Sequence, residues 1–214
     1  MSGAPFVELA SLRLLVLTEG LPDAARASAV LNEAHRHGAA FGVIVRAYEA
    51  SGEERIAFVR ELRRNLAGVP IILAGAPAEA REAGADGVHL GRRVASVAEA
   101  RAYLDPEAWI SVPAHTPQDI AAAEREGAFA ALVSPVLGVP AKGPPLGFSG
   151  LSCFVASARP TRLRTFALGG ITSGDVGPCL RAGVDGVAVI RAVWAAEDPA
   201  KALTDFAAAL AKHA

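Results

Sequence analysis

Two short segments near the C-terminus could together bind a phosphate group. They read FALGGIT and GVDGVAVIRAV, and each is an apolar run that ends in residues suited to a tight turn. Gly169 and Gly170 would present backbone N–H groups at the end of one strand, and Ile190 and Arg191 would lead from the next strand into a helix. Adjacent strand ends that present amides in this way bind phosphate in (β/α)8 barrels. The alternative is that the two glycines only permit a tight turn.

Five further side chains could bind a ligand or react with it. Arg46 could form two parallel hydrogen bonds with a phosphate or carboxylate, or it could pair with Glu49 instead. Lys142 could reach a phosphate from its loop or simply be solvated. His89 and His115 could donate hydrogen bonds or transfer protons, because the pKa of a free imidazole is about 6.5. Glu49 could accept a proton or merely begin a helix. We therefore predict catalytic roles for His115, His89 and Glu49, and substrate binding by Arg46 and Lys142.

The elements that would position these residues are eight short apolar runs. Continuous apolar runs are typical of parallel strands that are covered on both faces. The predicted strands are LRLLVLT (12–18), FGVIVR (41–46), VPIILAG (69–75), DGVHLG (86–91), WISVPAH (109–115), FAALVSPV (129–136), TFALGG (165–170) and DGVAVI (185–190).

Helix-period segments separate most of these runs. Several have clear boundaries, such as Asp23 or Thr116 at a start and Gly38 or Gly68 at an end. Alternating strands and helices with short links predict parallel strands and right-handed crossovers. The fold class that we predict is α/β, a single (β/α)8 TIM barrel over residues 1–214; an open doubly wound sheet is the alternative.

One long irregular segment interrupts this alternation. Residues 134–150 read SPVLGVPAKGPPLGFSG and contain four prolines and four glycines. A loop of this length in a compact domain is usually functional or mobile.

Composition narrows the class of protein. Of the 214 residues, 52% are hydrophobic and the formal net charge is −1, so we expect a sizeable core and no general attraction to nucleic acid or to an anionic membrane. The chain contains Cys153 and Cys179 without a CxxC motif, so we expect two small packed thiols rather than a disulfide framework or zinc site.

His35 and His37 are expected to be exposed at a helix end. Without a signal-peptide pattern at the N-terminus, we expect a cytoplasmic protein. A homo-oligomer is possible, although no interface signature is evident.

The chain resembles the family of thiamine-phosphate synthase and its relative, thiazole tautomerase. The resemblance rests on VPIILAGAPAEAREAGADGVHLG, on the pair His115-Thr116, on SPVLGVPAKGPPLG, and on ALGGIT with AGVDGVAVIRAV. It covers nearly the whole chain and implies a (β/α)8 barrel that handles a phosphorylated thiazole. The synthase joins that thiazole to a pyrimidine diphosphate with Mg²⁺.

The residues that hold the metal in the synthase are replaced in this chain. Gly75 stands at the Asp of the family's Asn-Asp-Arg segment, and Val94 stands at the second metal-binding Asp. Mg²⁺ usually needs one or two carboxylates beside the substrate phosphates. The preceding Arg92 and Arg93 could neutralise an anionic ligand without a metal, or could be exposed. We therefore expect no metal and no other cofactor.

Other positions of the family's active sites have changed too. The synthase's Gln-x-Arg-x-Lys segment falls on Ile44, Arg46 and Tyr48, so only the arginine remains. The family's serine before His115 falls on Pro113. The tautomerase histidine in the long loop falls on Pro135.

Replacements also occur beside the predicted phosphate ligands. The two threonines before Lys142 fall on Val139 and Ala141. The usual serine of the phosphate turn falls on Arg191.

These observations lead to three hypotheses. The first is a thiamine-phosphate-synthase-like barrel that binds a small phosphorylated ligand, with thiazole phosphate as the first candidate. If it is an enzyme, this barrel would catalyse metal-independent proton transfer. The second is a non-catalytic binding or regulatory protein, and the third is a genuine synthase whose ligands have relocated.

Overall fold

The chain forms a closed barrel of eight parallel strands, in which each strand pairs with the next along the sequence and β8 pairs with β1. The computed structural model describes residues 7–91, 94–138, 143–158 and 162–213. The strands are β1 Leu14–Leu17, β2 Gly42–Val45, β3 Ile71–Ala74, β4 Gly87–His89, β5 Trp109–Ala114, β6 Ala130–Val133, β7 Arg164–Leu168 and β8 Gly186–Val189. The predicted (β/α)8 class is confirmed, and the open sheet is wrong.

Helices follow the strands and cover the outside of the barrel. They are α1 Ala24–Arg36, α2 Gly52–Asn65, α3 Pro77–Ala83, α4 Val97–Tyr103, α5 Pro117–Glu126, α6 Gly147–Ala158, α7 Val176–Arg181, α8 Arg191–Trp194 and α9 Pro199–Ala211. The segment 134–150 is shorter as a loop than predicted, because α6 already begins at Gly147. No helix in the described ranges is long and apolar enough to cross a membrane.

Burial on both faces explains the continuous apolar runs. Side chains such as Leu15, Ile44 and Phe166 fill the inside of the barrel. Alternate residues of the same strands, such as Leu14 and Val43, pack outwards against the helices. Most strand residues are buried on both faces of the barrel wall, so few of them need to be polar.

Helix starts are fixed by side-chain caps, one of which also holds a predicted site residue. Thr116 caps α5 by accepting a hydrogen bond from the Asp119 backbone, as predicted for this segment. The Asp119 carboxylate accepts in turn from the backbone N–H groups of His115 and Thr116, each at 2.8 Å. The cap therefore fixes the chain where it leaves β5.

Two expectations about single residues are wrong. Cys179 is buried as expected, and burial raises the pKa of its thiol to about 12, but Cys153 is exposed on α6. His37 is exposed, whereas His35 is only 3% exposed. The ring of His35 packs edge-on against Phe41, with Nδ1 3.3 Å from the Ala39 carbonyl oxygen. The helix turns this histidine inwards, which its position near the helix end did not indicate.

The close pairing of β4 with β5 predicts a strong effect of substitution at Gly87. A Cβ atom there would overlap the carbonyl oxygen of Trp109 on β5. We expect Gly87→Ala to lower the free energy of unfolding by about 2 kcal/mol or more, because backbone must move to admit it. Gly174→Ala is the control, since its nearest atom would be the Thr172 hydroxyl at 3.7 Å. Urea unfolding of both variants measures the difference, and equal stabilities would contradict the packing described.

Candidate functional site

A cavity of about 360 Å³ opens at the carboxyl ends of the barrel strands, and we call it the mouth cavity. Its position is where functional sites of (β/α)8 barrels are found. Four residues with a predicted catalytic or binding role lie in it: Arg46, His89, His115 and Ile190. The remaining lining residues are Leu17, Tyr48, Gly91, Val94, Pro113, Leu132, Ser134 and Leu168.

Arg46 brings a positive charge to this cavity. The backbone N–H of Arg46 donates a 2.9 Å hydrogen bond to the Thr18 hydroxyl, which fixes the residue just beyond β2. The Nε atom is buried and has no hydrogen-bond partner in the described part of the chain. The guanidinium carbon lies 5.8 Å from the centre of the Tyr48 ring. A buried N–H donor without a partner is unusual in proteins, so this one is suited to a ligand anion.

The pKa of Tyr48 is shifted by burial and by its position beside Arg46. Burial raises the pKa of its phenol, and the nearby charge of Arg46 lowers it in part. The phenol therefore stays protonated at neutral pH and can donate a hydrogen bond.

His89 is a buried imidazole that stays neutral. It lies at the end of β4 with 5% exposure, and its Nδ1 is 2.9 Å from the hydroxyl of Ser111. Burial, and then the positive charge of Arg46, lower its pKa to about 4. At neutral pH this ring can donate or accept a hydrogen bond without carrying charge.

His115 has a defined tautomer. Its Nδ1 lies 2.8 Å from the carbonyl oxygen of Ser134, which can only accept, so Nδ1 carries the hydrogen. In the neutral ring, Nε2 then keeps its lone pair. His115 is also exposed, so this nitrogen is accessible for accepting a proton.

The structure does not bring Glu49 into the mouth cavity. Glu49 lines a neighbouring depression of about 550 Å³ together with Glu19 and Glu54. Arg46 and Tyr48 line both spaces and thus lie between them. Since no salt bridge joins Arg46 to Glu49 among the residues that are described, the pairing considered from the sequence does not form.

The two glycines of the predicted phosphate turn are required by the backbone and by its neighbours. Gly169 and Gly170 have φ values of 112° and 69°. A Cβ at Gly170 would lie 2.8 Å from the carbonyl oxygen of Gly138, so the long loop packs directly on the turn. The same loop bonds to the turn through the Leu137 N–H, which is 2.9 Å from the Gly169 carbonyl oxygen. The turn and its packing therefore require these glycines whether or not a phosphate binds there.

The opposite side of the turn is formed by the β8 end. Ile190 lines the mouth cavity, and Arg191 is the exposed first residue of α8. Within the described ranges, the backbone N–H groups of Gly170, Arg191 and Ala192 donate no hydrogen bond. These amides remain available for an anion. Lys142, the other predicted anion ligand, lies outside the described residues, as do Arg92, Arg93, Val139 and Ala141.

Sequence reasoning missed the groups that orient the site. Ser111 contacts His89 because the two residues are direct partners in the register of β4 and β5. Aligning the predicted strands by register could have found this pair. Thr18 contacts Arg46, and the indole N–H of Trp194 donates a 2.8 Å bond to the Leu17 carbonyl at the end of β1. No local pattern marks these two contacts.

The family's metal site does not fit the residues found here. At Gly75 a Cβ would lie 2.9 Å from Oε2 of Glu79, so a carboxylate already fills that space. Glu79 forms hydrogen bonds of 2.8 to 3.1 Å with the guanidinium of Arg55. Among the described residues, no group of three or more His, Cys, Asp or Glu side chains could hold a metal ion. Among the described residues that line the mouth cavity, none carries a carboxylate.

Comparison with known proteins gives one consistent result. The sequence profile of the family described as thiamine monophosphate synthase matches residues 14–193. The chain is 34% identical to the thiamine-phosphate synthase of Xanthobacter autotrophicus, over 93% of this chain and 95% of that protein. It is 33% identical to the thiamine-phosphate synthase of Albidiferax ferrireducens, over 90% of this chain and 89% of that protein. The structure of a thiamine phosphate pyrophosphorylase from Pyrococcus furiosus superposes with a TM-score of 0.78 at 25% identity, covering 96% of this chain and 98% of that one.

The proximity of Arg46 and His89 predicts a measurable change in titration. Because Arg46 contributes to the lowered pKa of His89, Arg46→Ala should raise that pKa from about 4 towards the free value, though not all the way, since burial remains the larger cause. Arg46→Lys, which keeps the charge, should change it less. NMR titration of the His89 imidazole measures this pKa in the wild type and in both variants.

The sign of the effect on stability follows from the lowered pKa. His89 favours the neutral form in the folded state, so its contribution to stability is complete above about pH 6.5 and is lost as the pH falls towards 4. A His89 that titrates near pH 6.5 in the wild-type protein would contradict the described burial.

Proposed function

The chain belongs to the thiamine monophosphate synthase family, and we propose that it binds a small phosphorylated ligand, thiazole phosphate first among the candidates, in the mouth cavity. The observation that carries this proposal is that Arg46 lines the cavity while its buried Nε has no hydrogen-bond partner within the described part of the chain. A hydrogen-bond acceptor on the ring of the ligand would supply that partner.

Different parts of the site would suit the phosphate group and the ring of thiazole phosphate. Its phosphate would lie at the turn of Gly169 and Gly170, where the amides of Gly170 and Arg191 are unoccupied. Ile190 joins this turn to the cavity, so a short linker would place the ring inside. Apolar side chains such as Leu132 and Leu168 line the cavity and suit an aromatic ring. Arg46 would then face the polar edge of the ring.

We further propose metal-independent proton transfer in this site. His115 would accept a proton from the ligand at Nε2 and return it to a different ligand atom, so the ligand is isomerised and the histidine is unchanged. Arg46 would stabilise negative charge that develops on the ring after proton removal. His89, neutral because of its lowered pKa, would donate or accept a hydrogen bond at the same ring. Glu49 stays a weaker candidate, because it lies in the neighbouring depression.

Synthase activity is the second candidate function. It is favoured by the names of the relatives that match nearly the whole chain. In this chain, Gly75 and Val94 stand at the positions where the family has its metal-binding carboxylates. Synthase activity would therefore need carboxylates from other positions to bind Mg²⁺. A non-catalytic binding or regulatory role is the third possibility and would require only the cavity and the turn.

Ligand binding tests the first proposal. We expect thiazole phosphate to raise the melting temperature more than inorganic phosphate or thiamine phosphate does. Arg46→Ala should weaken binding by about 2 kcal/mol, because a charge-assisted bond is lost. Arg191→Ala should cost only about 1 kcal/mol, since its backbone amide remains. Titration calorimetry measures these losses. Crystals soaked in phosphate should show an anion at the glycine turn, and an anion bound elsewhere would refute the assignment.

Activity assays separate the three functions. We expect interconversion of the two thiazole phosphate tautomers, unaffected by a chelator and reduced about 100-fold or more in His115→Gln. The control is His37→Gln, which changes an exposed histidine on α1's C-terminal side. Coupling of thiazole phosphate to the pyrimidine diphosphate should be weak or absent with Mg²⁺. Robust coupling that a chelator abolishes would favour the synthase instead, and tight binding without either reaction would favour a binding protein.

A further inference from the structure

We propose that the ion pair between Arg55 and Glu79 is a positioning device for Arg46. The role rests on the ligand-binding function proposed above, because it concerns how the arginine that would contact the ligand is held. Neither residue lines the mouth cavity, so both would act through the segment between β2 and α2.

The pair is geometrically tight and largely shielded from water. Nη2 of Arg55 lies 2.8 Å from both carboxylate oxygens of Glu79, and Nε lies 3.1 Å from Oε2. The side chains are only 14% and 24% exposed. A two-point contact of this kind fixes the plane and direction of the guanidinium.

The fixed guanidinium holds the segment that carries Arg46. Nη1 of Arg55 donates to the carbonyl oxygens of Ala47 at 3.3 Å and Ala50 at 2.5 Å. The Ala50 N–H donates to the same Ala47 carbonyl at 3.2 Å, which closes a turn directly after Arg46. On the other side, the Thr18 hydroxyl accepts from the Arg46 N–H. The backbone of Arg46 is thus restrained from both directions.

Two glycines make room for the Glu79 carboxylate. A Cβ at Gly52 would lie 2.8 Å from Oε1, and a Cβ at Gly75 would lie 2.9 Å from Oε2. A side chain at either position would displace the carboxylate and break its contacts with Arg55. The carboxylate therefore occupies the space in which a residue-75 carboxylate would lie, and it is committed to an arginine rather than to a metal.

A second pair on the same helix supplies a matched control. Arg63 also lies on α2 and binds a carboxylate at two points. Its Nη1 lies 2.8 Å from Oδ2 of Asp86, and its Nη2 lies 2.8 Å from Oδ1. Arg63 neither lines the mouth cavity nor bonds to the segment after β2. Loss of this pair removes a comparable contact without touching Arg46.

The experiment compares Glu79→Gln, Arg55→Gln and the control Arg63→Gln with the wild type. Amide hydrogen exchange of Ala50, followed by NMR, should speed up about tenfold or more in the first two variants and stay unchanged in the control. Affinity for thiazole phosphate should fall about five- to tenfold in the first two and less than about twofold in Arg63→Gln. A purely structural pair would leave affinity unchanged at temperatures where each variant is fully folded.

A rescue variant distinguishes a positioned carboxylate from a general loss of packing. The double variant Gly75→Asp with Glu79→Ala removes the native carboxylate and introduces one at position 75. The Cβ atom of residue 75 would lie 3.7 Å from Nε of Arg55, so the new carboxylate would be close to the guanidinium. We expect this double variant to restore slow Ala50 exchange and near-wild-type affinity, whereas Glu79→Ala alone should not. Unchanged Ala50 exchange in both Glu79→Gln and Arg55→Gln would overturn the positioning role. If the wild-type protein binds no phosphate probe, the proposed function fails, and the exchange data still decide whether the pair holds the segment.

Discussion

Closure of the barrel, with β8 paired to β1, is the constraint on which the candidate site depends. Because all eight strands run in parallel, their carboxyl ends meet at one mouth. Residues from distant parts of the sequence, such as Arg46, His115 and Ile190, come together for this reason alone. An open sheet made of the same strands would separate its two edge strands, and the ends of β1 and β8 would no longer lie side by side.

Within the mouth, the half-buried guanidinium of Arg46 influences its neighbours. The guanidinium of Arg46 lies against Tyr48 and contributes to the low pKa of His89. The cation that we propose as a ligand contact therefore also adds to the effect of burial in lowering the pKa of a neighbouring imidazole. His115 is oriented independently, through a carbonyl on the adjoining strand end. The two histidines thus differ in burial and in hydrogen bonding, although the sequence presents them alike.

The surroundings of Gly75 bear on the metal site that the family resemblance implies. The family resemblance implied metal-binding carboxylates at the positions of Gly75 and Val94. In this chain the space beside Gly75 is filled by the Glu79 carboxylate, which is neutralised by Arg55. The glycine turn after β7 is built from backbone and needs no acidic side chain. Phosphate binding by backbone amides can for that reason outlast the replacement of catalytic side chains.

The sequence by itself indicated the fold class, because eight apolar runs separated by helical segments are typical of parallel strands buried on both faces, and a closed barrel accommodates eight such units without an edge strand. It also indicated that Arg46, His89, His115 and Ile190 belong near strand ends, since the end of each run is visible in the local pattern. Family membership followed from segments such as ALGGIT.

The tertiary structure alone decided what each of those residues can do. The neutral state of His89 depends on burial and on Arg46, which belongs to a different strand. The exclusion of Glu49 from the mouth cavity depends on the direction in which the chain leaves β2. The same holds for Glu79, which meets Arg55 across two helices. Such contacts join residues that are far apart along the chain, and local sequence patterns carry no information about them.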